Sequence, residues 1–117
     1  MRSTILQDIK KLLNIDPDDN FYNTDLLVFI NSSFLSLSQL GVCKNDFVAN
    51  DKTTWSDIPF LISDIDSIKS FIYLKVKILF DPPLNSSVLA SQKELIKELE
   101  FRLNIKSELG NIIKEGG

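Results

Sequence analysis

The stretch FIYLKVKILFDPP, residues 71–83, constrains the fold more than any other part of the chain. From Phe71 to Phe80 the only polar groups are two lysines and a tyrosine hydroxyl, and two prolines then end the run. A membrane span, a buried strand and a core helix all begin this way. A span needs about 20 apolar residues; this run is too short and carries Lys75 and Lys77 in its middle. The apolar pattern also starts upstream. Leu61, Ile65, Ile68, Ile72, Val76 and Leu79 recur in steps of three and four, and Phe71, Leu74 and Ile78 make an adjacent stripe. That period is helical, and the segment is longer than a strand. The spacing predicts a helix over residues 61–80, central in the fold because its apolar arc widens towards the end. Its core anchors are Ile72, Val76 and Leu79. Pro82 disfavours helical backbone at Asp81, and neither proline has an N–H to continue the ladder.

Three further helices read from the same rules. Residues 4–14 give a short amphipathic helix, capped by Ser3 or Thr4, with Ile5, Ile9, Leu12 and Leu13 on one face. The turn DPDDN follows, residues 16–20. Residues 23–40 form a second helix with Asn23 or Thr24 as cap and Gly41 just past its end, where a left-handed residue is expected. Its filler is mostly serine, so packing must hold it. Residues 86–106 form a fourth helix capped by Ser86 or Ser87, with Val88, Leu89, Leu95, Ile96, Leu99 and Leu103 in one arc. Between helices two and three, residues 42–60 are irregular, with room for a tiny β-hairpin at Phe47 and Val48. Trp55, the only tryptophan, is expected to anchor this loop on the core. The expected fold is therefore all-α: a small bundle of about four helices, with one helical domain over residues 1–106 and a flexible tail over residues 107–117.

Composition narrows the function. The 117 residues carry 44% hydrophobic and 25% charged side chains, ordinary for one globular domain. The net charge is -3, whereas a protein that grips phosphates shows a basic surplus. The amino-terminal run is broken by Gln7, Asp8, Lys10 and Lys11, unlike a signal peptide. Cys43 is the single cysteine, which excludes an internal disulfide. There is no histidine, the commonest general base and transition-metal ligand.

The remaining chemical patterns are weak. Asp16, Asp18 and Asn20 match the first, third and fifth positions of a calcium loop, but Phe21 stands where glycine is needed and Leu27 where the bidentate glutamate belongs. Asp64 and Asp66 diverge on a helix, and with Asp57 they read as helix-start acids rather than a catalytic pair. Cys43 has Lys44 beside it but no histidine to activate it. Lys10, Lys11, Lys69, Lys75 and Lys77 read as solvated helix faces. No glycine-rich phosphate loop is present. No catalytic residue, cofactor or metal is expected.

Phe101 and Ile105 stand apart. By helical counting they lie nearly opposite the main stripe of helix four, one turn from each other on a charged face. Single apolar surface residues are normal, but a pair one turn apart on a charged face suggests a partner surface, and Ile112 and Ile113 in the tail point the same way more weakly.

Taken in order and at their spacing, INSSFLSLSQLGV, NDFVANDKTTWSDI, FIYLKVKILFDPP and ELIKELEFRLN resemble the phage head–tail connector, or head-completion adaptor, family, in the branch from phages and prophages of Gram-positive bacteria. The resemblance spans roughly residues 3–105. It implies a structural, non-enzymatic protein of the virion neck that assembles in the host cytoplasm. It implies a ring of about a dozen copies beneath the portal protein, extending the DNA channel and docking the next head-completion or tail component. DNA would pass through the lumen without specific binding, which suits a mildly acidic chain, and no membrane is involved. The segment from Ser87 onwards, with Phe101, Ile105, Ile112 and Ile113, would supply the subunit or portal interface. The competing reading of the residues is a small helical regulator that binds DNA or another protein.

Overall fold

The computed structural model describes residues 3–44 and 47–116, with side chains as far as Leu109. Among the described residues there are four α-helices, α1 (Ile5–Leu12), α2 (Asn23–Gln39), α3 (Ile65–Phe80) and α4 (Ser86–Gly116), plus a 3-10 turn at Trp55–Asp57. No strand forms among them. In place of the hairpin, the long loop makes two isolated antiparallel bridges, Thr4 to Thr54 and Cys43 to Phe60.

Local chemistry sets each helix end. Thr4 and Gln7 form a reciprocal capping box on α1: the Gln7 N–H donates to Thr4 Oγ1 at 3.1 Å and the Thr4 N–H to Gln7 Oε1 at 2.9 Å. The expected caps of α2, Asn23 and Thr24, instead lie inside the helix. Tyr22 precedes it without a side-chain cap, and its ring meets the Phe80 ring edge-on at 5.0 Å. Gly41 takes the left-handed conformation, φ 81°. The Val42 N–H then reaches Leu37 O at 2.9 Å and the Gly41 N–H reaches Ser38 O at 3.1 Å, the two bonds of a Schellman stop, with Val42 and Leu37 both buried.

Two starts differ from expectation. α3 begins at Ile65, not at residue 61, because Phe60 bridges Cys43 and the bend at Leu61 is tied to the segment after α2: Leu61 N–H donates to Val42 O at 2.7 Å. Asp64 then caps α3, accepting from the Ser67 N–H at 3.3 Å. α4 is capped by Asn85 rather than by a serine, since Asn85 Oδ1 accepts from the N–H groups of Ser87 at 2.8 Å and Val88 at 3.2 Å.

α3 is the centre of the bundle. α2 and α4 both pack along it, running opposite to it, and Ile68, Phe71, Ile72 and Val76 are fully buried. Each such side chain contributes about 1.5–3 kcal/mol by leaving water. Leu79 corrects the expectation. It continues the same arc but is 45% exposed, because at that end α2 covers the Phe80 side of α3 and, among the described residues, not the side that Leu79 faces. The far end is closed. Asn104 Nδ2 donates to Leu40 O at 3.4 Å, Ser107 Oγ donates to Gly41 O at 2.9 Å, and Lys106 pairs with Asp64. α4 therefore does not end at residue 106 but continues through a buried Ser107.

The loop is fastened to the core at several points. Asn31 grips Ala49 from both sides, accepting its N–H at 2.7 Å and donating to its carbonyl at 3.0 Å. Trp55 is half-buried against the core; its Nε1 donates to Asp8 Oδ2 at 2.6 Å and Lys69 lies over its ring at 5.1 Å. Thus one side chain ties α1, the loop and α3 together.

Candidate interaction surfaces

The two sides of α4 divide its residues sharply. Ile96, Leu99 and Leu103 are buried against the bundle. On the other side Phe101 is 70% exposed and Ile105 38%. Glu98 and Arg102 lie exposed among them. Leu109, beyond the expected helix end at residue 106, turns towards the loop before α3 and lines a cavity with Phe60, Leu61 and Ile62. Ile112 and Ile113 lie on the same helix, but their side chains fall outside those described.

A second apolar surface lies at the open end of the hairpin. Leu79, Ile78 and Ile96 line a groove of about 280 Å³ between α3 and α4, and Lys75, Lys93, Lys97 and Glu100 lie around it. A third surface runs down α2, where Val28 and Leu35 are exposed seven residues apart. Phe21, just before that helix, is the most exposed aromatic side chain, at 82%. It had no periodic signal, because it lies in a turn.

The groups with catalytic or metal-binding potential are occupied structurally. Hydrogen bonds from Lys106 and then Ser67 hold the Asp64 carboxyl below its ordinary range, so it serves as cap and ion-pair partner. Burial pushes the Cys43 thiol up to about 11, and its Sγ lies 3.7 Å from Phe34 O. A thiol so placed is a poor nucleophile. At the calcium-like turn the Lys10 ammonium fastens the backbone and one of the three candidate ligands: its Nζ donates to Pro17 O at 3.1 Å and Asn20 Oδ1 at 3.4 Å. Lys10 is only 3% exposed, which corrects its reading as a solvated lysine. Among the described residues no three acidic or cysteine side chains cluster to hold a metal ion, and no helix is long and apolar enough to cross a membrane.

The model of the phage connector protein family matches residues 5–110. The chain belongs to the phage connector protein family. The match covers all of α1, α2 and α3 and most of α4, and so includes the three apolar surfaces. Membership makes the chain a phage structural protein and a virion component that contacts other phage structural proteins. No curated protein and no solved structure matches it.

Proposed function

We propose that this chain is a head–tail connector that forms a ring beneath the portal, extends the DNA channel and docks the next head-completion or tail component. The observation that carries the reading is the outward face of α4 within a chain of the connector family. Phe101 and Ile105 are exposed apolar side chains one turn apart on a helix whose opposite side is already buried. Such a pair is a docking surface by its chemistry, and a ring gives every copy the same neighbour on each side. The role is structural rather than enzymatic. The net charge of -3 lets DNA pass without being held by its phosphates.

The test is Phe101→Asp. The exposed site tolerates a charge in the isolated subunit, so the variant stays folded by circular dichroism but fails to assemble with itself or on portal-bearing heads. A folded variant that still assembles on those heads overturns the assignment of this face. A sharp, competitor-resistant gel shift with DNA at low salt would favour a DNA-binding regulator instead.

A further inference from the structure

We infer that neighbouring copies join head-to-tail, with Phe21 of one copy seated in the α3–α4 groove of the next. The inference rests on the ring reading above and names the contact that builds the ring.

Phe21 is presented rather than merely exposed. Lys10 ties the turn before it through Pro17 O and Asn20 Oδ1. The Phe21 N–H donates to Asp19 Oδ1 at 3.1 Å, and its ring meets Tyr22 edge-on at 4.9 Å. Tyr22 in turn rests on Phe80. A side chain held out by a fixed base loses little freedom on docking. Around it the surface is acidic, with Asp16, Asp18, Asp19 and Asp25 all exposed.

The groove has the opposite character. Its floor is Ile78, Leu79 and Ile96, and its charged walls are Lys75, Lys93 and Lys97 with one acid, Glu100. Lys97 pairs with Glu94 on its own helix at 3.5 Å, and Lys93 makes no ion pair among the described residues. An aromatic residue on an acidic turn and an apolar groove with three lysines to one acid at its edge match in apolar character and are opposite in net sign, which steers association and fixes register. Both features belong to one chain, so the occupant that fits is a second copy.

Their positions suit ring closure. The Tyr22–Phe80 contact puts the start of α2 beside the end of α3, so knob and groove are at the same end of the bundle. Consecutive side chains of a helix diverge by about 100°, so Leu79 points away from Phe80 and the groove opens on a different side from the knob. A contact between two different patches generates either a ring or a filament, and patches at one height favour closure.

The contact also runs into the surface already described. Below the groove, Phe101 and Ile105 follow Lys97 by one and two turns on α4; below Phe21, Val28 and Leu35 follow on α2. The two helices run the same way, and seven residues rise about 10 Å. A neighbour's α2 laid along α4 with Phe21 in the groove therefore brings Val28 to the level of Phe101 and Ile105.

Two variants that each add one cysteine to the chain, Phe21→Cys and Leu79→Cys, test the contact. Cys43 stays in place because it is buried. The two are purified with tags of different size, mixed, and oxidised mildly while the assembly mass is followed by light scattering. The expected product is the mixed dimer of the two variants, with self-linked dimers minor. In a parallel test D18K/D19K weakens assembly at least tenfold, and K93E/K97E added to the same chain restores it. A ring-sized mass without the mixed link, or with Phe21→Cys linked mainly to itself, overturns this contact and leaves the ring reading standing. No assembly and no link, alone or with portal-bearing heads, overturns both.

Discussion

Ser107 Oγ donates to the carbonyl of Gly41 at 2.9 Å, across 66 residues of sequence. This one bond joins the stop of α2 to the last buried turn of α4. It works only because Gly41 has no side chain: a Cβ there would collide with Ser107 Oγ, and φ 81° is left-handed backbone. Gly41→Ala is therefore expected to cost about 1–3 kcal/mol from backbone strain, with more from displacing Ser107. Ser107→Ala, which loses only the bond, should cost about 1 kcal/mol. Urea midpoints at unchanged slope measure both. Equal midpoints for Gly41→Ala and wild type would show that the contact does not hold.

The two faces of α4 should separate in stability. Leu103 is fully buried, and Leu103→Ala is expected to cost about 2–5 kcal/mol. Phe101→Ala on the outer face should lie within about 0.5 kcal/mol of wild type when the subunits are dissociated. Thermal unfolding of dilute protein checks the contrast. A large loss for Phe101→Ala under those conditions would mean that the ring is packed within its own subunit.

Asp64 makes stability depend on acid. Lys106 and Ser67 lower its folded value below the ordinary 3.8, so its contribution is complete above that value and is lost as pH falls through the lower folded one. The gap in melting temperature between wild type and Asp64→Asn should be steady from neutral pH to about 5 and then close below it. Because the pair is near the surface, added salt should narrow the gap too. A gap that widens in acid contradicts the assignment.

Cys43 reports on opening of the fold. With its thiol up at about 11 and buried, it should react with a disulfide reagent at pH 8 only as fast as the protein opens, and promptly in denaturant. Prompt labelling of the native protein would contradict its placement behind α2.

Lys10→Met keeps the apolar stem and removes the ammonium that ties the turn before α2. The loss of two charge-assisted bonds should destabilise the fold by about 1–3 kcal/mol. If Phe21 seats in a neighbour, the variant should also assemble more weakly than its stability alone explains. A variant as stable as wild type would show that the turn holds itself.

What the sequence made legible was whatever a single helix decides for itself. The stripe through Ile68, Ile72 and Val76, the proline stop and the Gly41 cap all follow from local spacing and backbone preference. What it hid depends on what crosses over from elsewhere. Leu79 has the same periodicity as Val76, and it is exposed because α2 covers the Phe80 side of that end and, among the described residues, not the side that Leu79 faces. Asn31 reads as polar filler on α2, yet it grips Ala49 eighteen residues on. Lys10 reads as solvated until the turn folds over its ammonium. For the candidate surfaces, Phe101 and Ile105 broke the helical pattern and could be picked out. Phe21 sits in a turn, where no period exists to break, and its meaning comes from the groove at the same end of the bundle.

The most direct test of the account is the mass of the wild-type assembly, measured by light scattering behind size-exclusion chromatography over a range of concentrations, alone and with portal-bearing heads. The account expects a discrete species of about a dozen copies of the 13.3 kDa chain, formed alone or on the portal. A single-chain mass at every concentration, with no uptake by the heads, would contradict it.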